Sequence, residues 1–332
     1  FNDETGEMRW AKSSSTPLRP ADGVIDAIER NSVHIADADR FVHGITIGTN
    51  TVLEKKGASV WMLVTRGFGD VLEIARTNRT QLYDIKTLKP APIVPRHQVI
   101  EIDERLDAEG SVIRPLNISE ITDVAENLTD QPAGALTVCF LHSYANSAHE
   151  LLAVEKLREV LSDWFICCST EVLPEMREYE RFNTTAINAY IGPVTKRYLE
   201  ALTDEFCERG YKKSIYIMAS SGGIMTAKRA SCFPIQTVLS GPAGGVAAAR
   251  HLGLLIGVPN MITYDMGGTS TDVCLIQELN VPMTSEQVIG DNSIRTPQIE
   301  IATVGAGGGS IAWVDDGKIL SVGPNSAGSL PG

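Results

Sequence analysis

One run of residues constrains this chain more than any other. Met261, Ile262, Thr263 and Tyr264 lead into Asp265. After Met266 come Gly267 and Gly268, the hydroxyl residues Thr269, Ser270 and Thr271, and a second carboxylate, Asp272. The pattern predicts a buried strand, a tight turn without side-chain bulk, and a return strand from Thr271. Glycines take positive φ readily and let an anion come close to the backbone. Free N–H groups there, with the hydroxyls of Thr269, Ser270 and Thr271, are suitable donors to phosphate oxygens. Two carboxylates beside a polyphosphate repel it unless a cation lies between. Mg²⁺, held by carboxylates, waters and phosphates, meets that need. A plain Gly-Gly hairpin is the bland alternative; strand, Asp, Gly-Gly, three hydroxyls and Asp in one run favour the phosphate reading.

Other small-residue segments carry weaker signals. Residues 240–245 (Ser-Gly-Pro-Ala-Gly-Gly) precede a small-residue helical stretch, so Gly244 and Gly245 are candidate anion donors at a helix N-terminus. A close helix–strand crossing explains the same composition. Gly305, Gly307, Gly308 and Gly309 follow an apolar strand. Three successive glycines cost backbone entropy, and close approach of Gly307 and Gly308 to a nucleotide would offset that cost; a flexible turn is the competing reading. Ser220, Ser221, Gly222 and Gly223 close a strand at its C-terminal end, where α/β proteins place ligands. No Gly-x-Ser-x-Gly accompanies them. Residues 177–185 are dense in charge and read as an ordered ion-pair network or a solvated helix face. Arg66, Arg76 and Arg79 are suited to grip a carboxylate or to cap a strand end.

The 332 residues suit two or three domains, and 43% hydrophobic with 21% charged residues is the composition of a soluble globular protein. A formal charge of −12 disfavours nucleic acid and anionic membranes as partners. Six Cys occur without a Cys-x-x-Cys, which points to a reducing cytoplasm and no disulfides. The six His show no zinc spacing. No run is long and apolar enough for a membrane span.

Strand-like stretches at 41–47, 59–65, 99–104, 111–114, 135–141, 165–168 and 215–219 alternate with helix-like ones at 49–56, 186–209 and 244–252. Residues 106–110 carry a hairpin signal, and 147–150 (Ser-Ala-His-Glu) a capping box. Gly192 and Pro193 predict a break or kink in the long helix. The alternation implies a layered α/β fold, with domains at 1–180 and 181–332 and a second boundary near 260.

The run from Asp265 to Asp272 resembles the second phosphate hairpin of the hydantoinase A and 5-oxoprolinase family. Residues 48–58, 65–74, 174–181, 184–190, 220–223, 240–245 and 303–310 resemble further family segments in the same order. The resemblance implies an actin/Hsp70/sugar-kinase-like (ribonuclease H-like, duplicated) nucleotide-binding fold. It implies that the chain is a central piece, without a first phosphate hairpin and a C-terminal region. The implied activity is ATP-dependent hydrolysis of a cyclic amide, a hydantoin or 5-oxoproline, through phosphorylation of the amide oxygen. The chain would be an A-type subunit in a cytoplasmic hetero-oligomer with a B-type partner. An acetone or acetophenone carboxylase subunit is the alternative, and a non-catalytic fragment a third reading. ATP and Mg²⁺ (or Mn²⁺) are the implied cofactors. The expected roles are Asp265 for the metal, Asp272 as a second metal-shell or water-orienting group, Gly267, Gly268, Thr269, Ser270 and Thr271 for phosphates, and Gly244, Gly245, Gly307 and Gly308 around the nucleotide.

Overall fold

A computed structural model describes the chain except residues 1, 3, 14, 15, 17, 18, 79–82, 84, 85, 87, 88, 269, 270, 316 and 328–332. In chain order the first elements are α1 (Pro20–Arg30), β1 (Phe41–His43), α2 (Ile47–Leu53), β2 (Val60–Thr65), α3 (Val71–Ile74) and β3 (Val99–Ile102). Then come β4 (Arg105–Leu106), β5 (Val112–Arg114), α4 (Ile118–Thr129), β6 (Ala135–Cys139), α5 (Ala148–Val160), β7 (Phe165–Cys168) and α6 (Ser169–Val172). The long α7 (Glu178–Glu208) leads to β8 (Ile215–Met218), β9 (Ile224–Thr226), α8 (Ala227–Cys232) and α9 (Ser240–Ile256). The last strands are β10 (Met261–Met266), β11 (Thr271–Ile276), β12 (Met283–Ile289), β13 (Asn292–Ile299), β14 (Ala302–Val304), β15 (Ser310–Val314) and β16 (Leu320–Ser326).

The largest layer is a parallel sheet in the order β3-β2-β6-β7, with Met62 opposite both Val99 and Thr137. Its two central strands are almost wholly apolar, as strands buried on both faces must be. Side-chain alternation divides the core in two. Leu63, Leu136 and Val138 pack with Ile121, Val124 and Leu128 of α4 and with Val154 and Leu157 of α5. Met62, Val64 and Cys139 pack with Phe182, Ala186, Ile187 and Ile191 of α7.

The 31 residues of α7 begin eight residues before the helical pattern seen in the sequence. The polar run from Glu180 to Thr185 conceals that start, because those side chains are buried within the protein. Arg181 is fully buried; it donates to the Phe140 carbonyl at 2.8 Å and lies over the Tyr144 ring. Glu180 holds Arg76. Pro193 lies inside the helix, which runs on through it as one element. Gly192 lets the helix meet β7, since a Cβ there would sit 2.6 Å from the Phe165 ring. Gly192→Ala sets about 1 kcal/mol of helix propensity against about 1–3 kcal/mol of overpacking. The variant is expected to be less stable by about 1–2 kcal/mol in urea unfolding; unchanged or greater stability would show that the Phe165 ring swings clear.

Two local readings change. The capping box does not form: Ser147 makes no side-chain cap bond, and Glu150 turns into the core. Its carboxylate accepts from the Phe140 amide at 2.7 Å, the Thr170 amide at 2.8 Å and the Ser169 hydroxyl at 2.6 Å. The hairpin at 106–110 joins β4 to β5, while β3 pairs in parallel with β2. A cut between residues 180 and 181 falls inside α7.

Beyond α7 the sheets are small. β1-β8-β9 forms one and β10-β11-β14 another, and β12 pairs with β13. The β12–β13 hairpin rests on α7, where Asn183 donates to the Ser293 carbonyl at 2.7 Å and the Arg295 amide donates to Thr184 at 3.0 Å. Among the described residues all six cysteines are free thiols, and no helix is long and apolar enough to cross a membrane. Burial pushes the Cys167 thiol up to about 12.

Candidate functional site

The return strand starts at Thr271 as its sequence predicts, and β10 pairs with β11 in an antiparallel register without a shift. That register sets Asp265 directly opposite Asp272. Such cross-strand partners have Cβ atoms about 4.5–5.5 Å apart, and like charges there are destabilising. Alternation places both carboxylates on the face that also carries Met261, Cys274 and Ile276, against which α9 packs. Asp265 is exposed with no side-chain hydrogen bond among the described residues. Asp272 accepts a 2.6 Å bond from the Thr303 hydroxyl on β14.

The structure brings together two of the glycine segments. The amides of Gly308 and Gly309 donate to the carbonyls of Gly267 and Gly268 at 2.9 and 2.8 Å. The Gly307 amide donates to the Ser310 hydroxyl, and Thr271, which is buried, donates to the Ala306 carbonyl at 2.6 Å. The glycine loop is therefore a splint along the hairpin tip. The Thr271 hydroxyl, expected to donate to phosphate, and the amides of Gly307 and Gly308, expected to lie around the nucleotide, donate within the protein itself. A Cβ on Gly268 would meet nothing within 4 Å, which leaves the hairpin backbone open to an incoming group. Thr269 and Ser270 lie outside the described residues.

Residues 240–245 are not a turn before a helix; they are its first turns. The 2.9 Å bond from Ser240 to the Ile45 carbonyl ties that start to the chain after β1, and Leu239 before it is left-handed. Only the first four N–H groups of a helix lie outside its ladder, so the amides of Gly244 and Gly245 are spent internally. Their surroundings differ. Gly244 faces Met218, whereas Gly245 lines a cleft of about 430 Å³ with Pro242, Val246, Tyr264, Asp265 and Asp272. The contribution of Gly245 is space, and sequence reasoning about donor amides missed it.

The remaining candidates resolve into structural roles. Ser220 donates to the Val238 carbonyl at 2.6 Å, while Gly222 with φ of +80° makes the tight turn from β8 to β9. Arg66 pairs with Asp103 and Glu120, closing a strand end. Arg79 lies outside the described residues. A second groove, about 1130 Å³, runs between α1, β1 and α7. There His43 shares a 2.6 Å hydrogen bond with Tyr198, and burial lowers the imidazole to about 4, so it is neutral at pH 7. No motif marks this pair, since a lone His and a Tyr 155 residues apart have no sequence signature.

No group of three or more His, Cys, Asp or Glu could enclose a metal ion among the described residues. That disfavours an all-protein metal cage. Mg²⁺ retains several waters and takes one or two carboxylates plus phosphate oxygens. Asp265 and the free oxygen of Asp272 are the hard donors available.

The architecture is of the α/β class, shared with solved enzymes. Residues 1–161 match the hydantoinase/oxoprolinase N-terminal region, and residues 181–332 match the hydantoinase/oxoprolinase model. The chain belongs to the hydantoinase/oxoprolinase family. It is 36% identical to the caprolactamase subunit alpha of Pseudomonas jessenii, over 99% of this chain and 49% of that protein. It is 30% identical to the acetophenone carboxylase gamma subunit of Aromatoleum aromaticum, over 98% of this chain and 48% of that protein. The crystal structure of the ATP-dependent caprolactamase from Pseudomonas jessenii aligns with a TM-score of 0.83 and 33% identity, over 100% of this chain and 50% of that one. The chain thus spans about half the length of these relatives.

Proposed function

We propose that this chain forms the nucleotide-handling part of an enzyme that uses ATP to activate a cyclic amide for hydrolysis. The observation that carries the reading is the Asp265–Asp272 pair, set across one hairpin and facing the cleft under α9. Two opposed carboxylates are costly unless a cation neutralises them. The order of the motifs supports a duplicated actin-like nucleotide fold around that cleft, with a B-type partner subunit. Greater identity to the caprolactamase subunit than to the carboxylase subunit supports the amide over the ketone.

An amide carbonyl resists water because nitrogen donates into it. In the proposed reaction the amide oxygen bonds to the γ-phosphorus and ADP leaves. Water then adds at the activated carbon and the C–N bond breaks, the nitrogen leaving as the protonated amine of a ring-opened acyl phosphate. A second water attacks that carbonyl carbon and displaces phosphate, which carries the original amide oxygen. Bound Mg²⁺ would neutralise charge on the phosphates. The chain's own part is positioning. Asp265 and Asp272 would hold the ion, the open backbone at Gly267 and Gly268 would admit the phosphates, and Thr303 fixes the orientation of Asp272.

With the complete assembly, a panel of five- to seven-membered cyclic amides should stimulate phosphate release. Oxygen-18 placed in the substrate carbonyl should appear in that phosphate. Turnover with a ketone and bicarbonate, and none with any cyclic amide, would replace this reading with the carboxylase one.

A further inference from the structure

The groove between α1, β1 and α7 holds a second polar centre, apart from the Asp265 cleft. His43 is the last residue of β1, which runs parallel to β8. The carboxyl ends of parallel strands are where open α/β sheets place ligands. The walls of the groove are largely apolar, with Ala21, Val24, Ile28, Ile45 and Ala201 among them. Arg19 pairs with Asp22 and Glu205, and Lys56 with Glu54, so most of the charge at the rim is balanced within the protein. An apolar groove with a few placed polar groups suits a small neutral molecule.

Among the described residues, His43 and Tyr198 have no side-chain hydrogen bond except the one they share. A phenol O–H is more acidic than an imidazole N–H, and a buried hydroxyl with one partner donates to it. The Tyr198 hydroxyl therefore donates to Nε2, which leaves the ring proton on Nδ1. Burial keeps both groups uncharged, since it lowers the imidazole to about 4 and raises the phenol to about 12. His43 Nδ1–H is thus a neutral donor without a protein acceptor among the described residues. The chain beyond it leads towards the carboxylate pair. Gly44 passes so close to α9 that a Cβ there would stand 3.5 Å from the Gly241 Cα. Pro242, the next residue of α9, lines the cleft with Asp265. The first turn of α9 stands between groove and cleft.

We propose that this groove is the cyclic-amide site and that His43 is a further catalytic residue, its Nδ1–H donating to the amide oxygen while Tyr198 fixes the tautomer. The inference rests on the amide reading above. An amide oxygen has two lone pairs. A neutral imidazole takes one as acceptor and orients the other for attack on the γ-phosphorus; an imidazolium would withdraw the electron density that attack needs. The proton stays on Nδ1 throughout, and no bond to His43 forms or breaks.

The test is amide-stimulated phosphate release by the complete assembly, carrying His43→Phe, His43→Asn, His43→Gln, Tyr198→Phe or the double Phe variant. Asn sets an N–H where Nδ1–H stood, and Gln sets one where Nε2 stood. His43→Phe is expected to lower kcat/KM for the amide at least about a hundred-fold, while KM for ATP moves less than about two-fold. His43→Asn should recover about ten-fold over Phe, and His43→Gln nothing. Tyr198→Phe should cost about ten-fold in the parent and nothing further beside His43→Phe, because it acts through the imidazole. Should His43→Phe fail to fold, the Asn and Gln variants decide. Parental kcat/KM in His43→Phe, an equal rise in KM for ATP, Gln matching Asn, or a full Tyr198 loss in the double variant overturns the role of His43 and leaves the amide reading standing. A parent stimulated only by a ketone with bicarbonate overturns the amide reading, and the amide site with it.

Discussion

Asp265→Asn is expected to reduce ATP-dependent turnover in the complete assembly by at least about a hundred-fold, the scale on which single charge-stabilising groups act. The fold should be untouched, because Asp265 is exposed and forms no side-chain hydrogen bond among the described residues. The sign of the stability change is informative. With a chelator present, the variant should melt at or slightly above the parent, since removing one of two like charges opposite each other relieves about 0.2–1 kcal/mol. Adding Mg²⁺ should raise the melting point of the parent through its preference for the folded state, and leave the variant unmoved. The Mg²⁺ shift needs no substrate or partner, so it tests the carboxylate pair separately from the reaction. A variant with parental turnover and the parental Mg²⁺ shift would remove Asp265 from the site.

Glu150→Ala should cost the most stability of any single change considered, about 3–5 kcal/mol. Two buried donors, from Phe140 and Ser169, and a half-buried one, from Thr170, converge on that carboxylate. Each unmet donor costs roughly 1–3 kcal/mol. The pH dependence has a definite direction. Burial holds the Glu150 carboxyl above its ordinary range. A carboxyl raised in the folded state contributes its full stability below the unfolded value, about 4.3, and loses it as pH rises through the folded value. Glu150→Gln, which cannot ionise, should therefore compare least well with the parent near pH 4 and gain on it towards neutrality. Urea unfolding of both proteins between pH 4 and 7 measures this. A gap that widens with rising pH would mean that the three donors outweigh the burial.

The sequence was most readable where one physical rule acts alone. Short, nearly unbroken apolar runs mark β2, β6 and β7, and the Gly-Gly hairpin marks β10 and β11 to the residue at the return strand. Reading failed where tertiary contacts overrode a local signal. Residues 177–185 left two readings open, an ordered ion-pair network or a solvated face, because the partners that decide for the network lie far along the chain, in Arg76, Phe140 and Ser293. Glu150 has the spacing of a cap, but a ring of donors outbids the helix end. Residues 240–245 look like a turn because glycine and proline disfavour helices, yet Ser240 anchored on Ile45 starts the helix there. At the site, the carboxylate pair was legible as composition and became a pair only through register. The splint between Gly308, Gly309 and the hairpin tip could not be read at all, since backbone bonds between two glycine loops leave no trace in side-chain identity.

The placement of α7 bears on inheritance. One family region stops at residue 161 and the next starts at 181, inside this helix. Phe182, Ile187 and Ile191 of the second region are packed into Met62, Val64 and Cys139 of the first. A genetic exchange between diverged relatives at that junction would give each daughter a sheet matched to another lineage's helix. The two regions are thus bound to descend together, and substitutions on either side of the seam must be tracked by changes on the other.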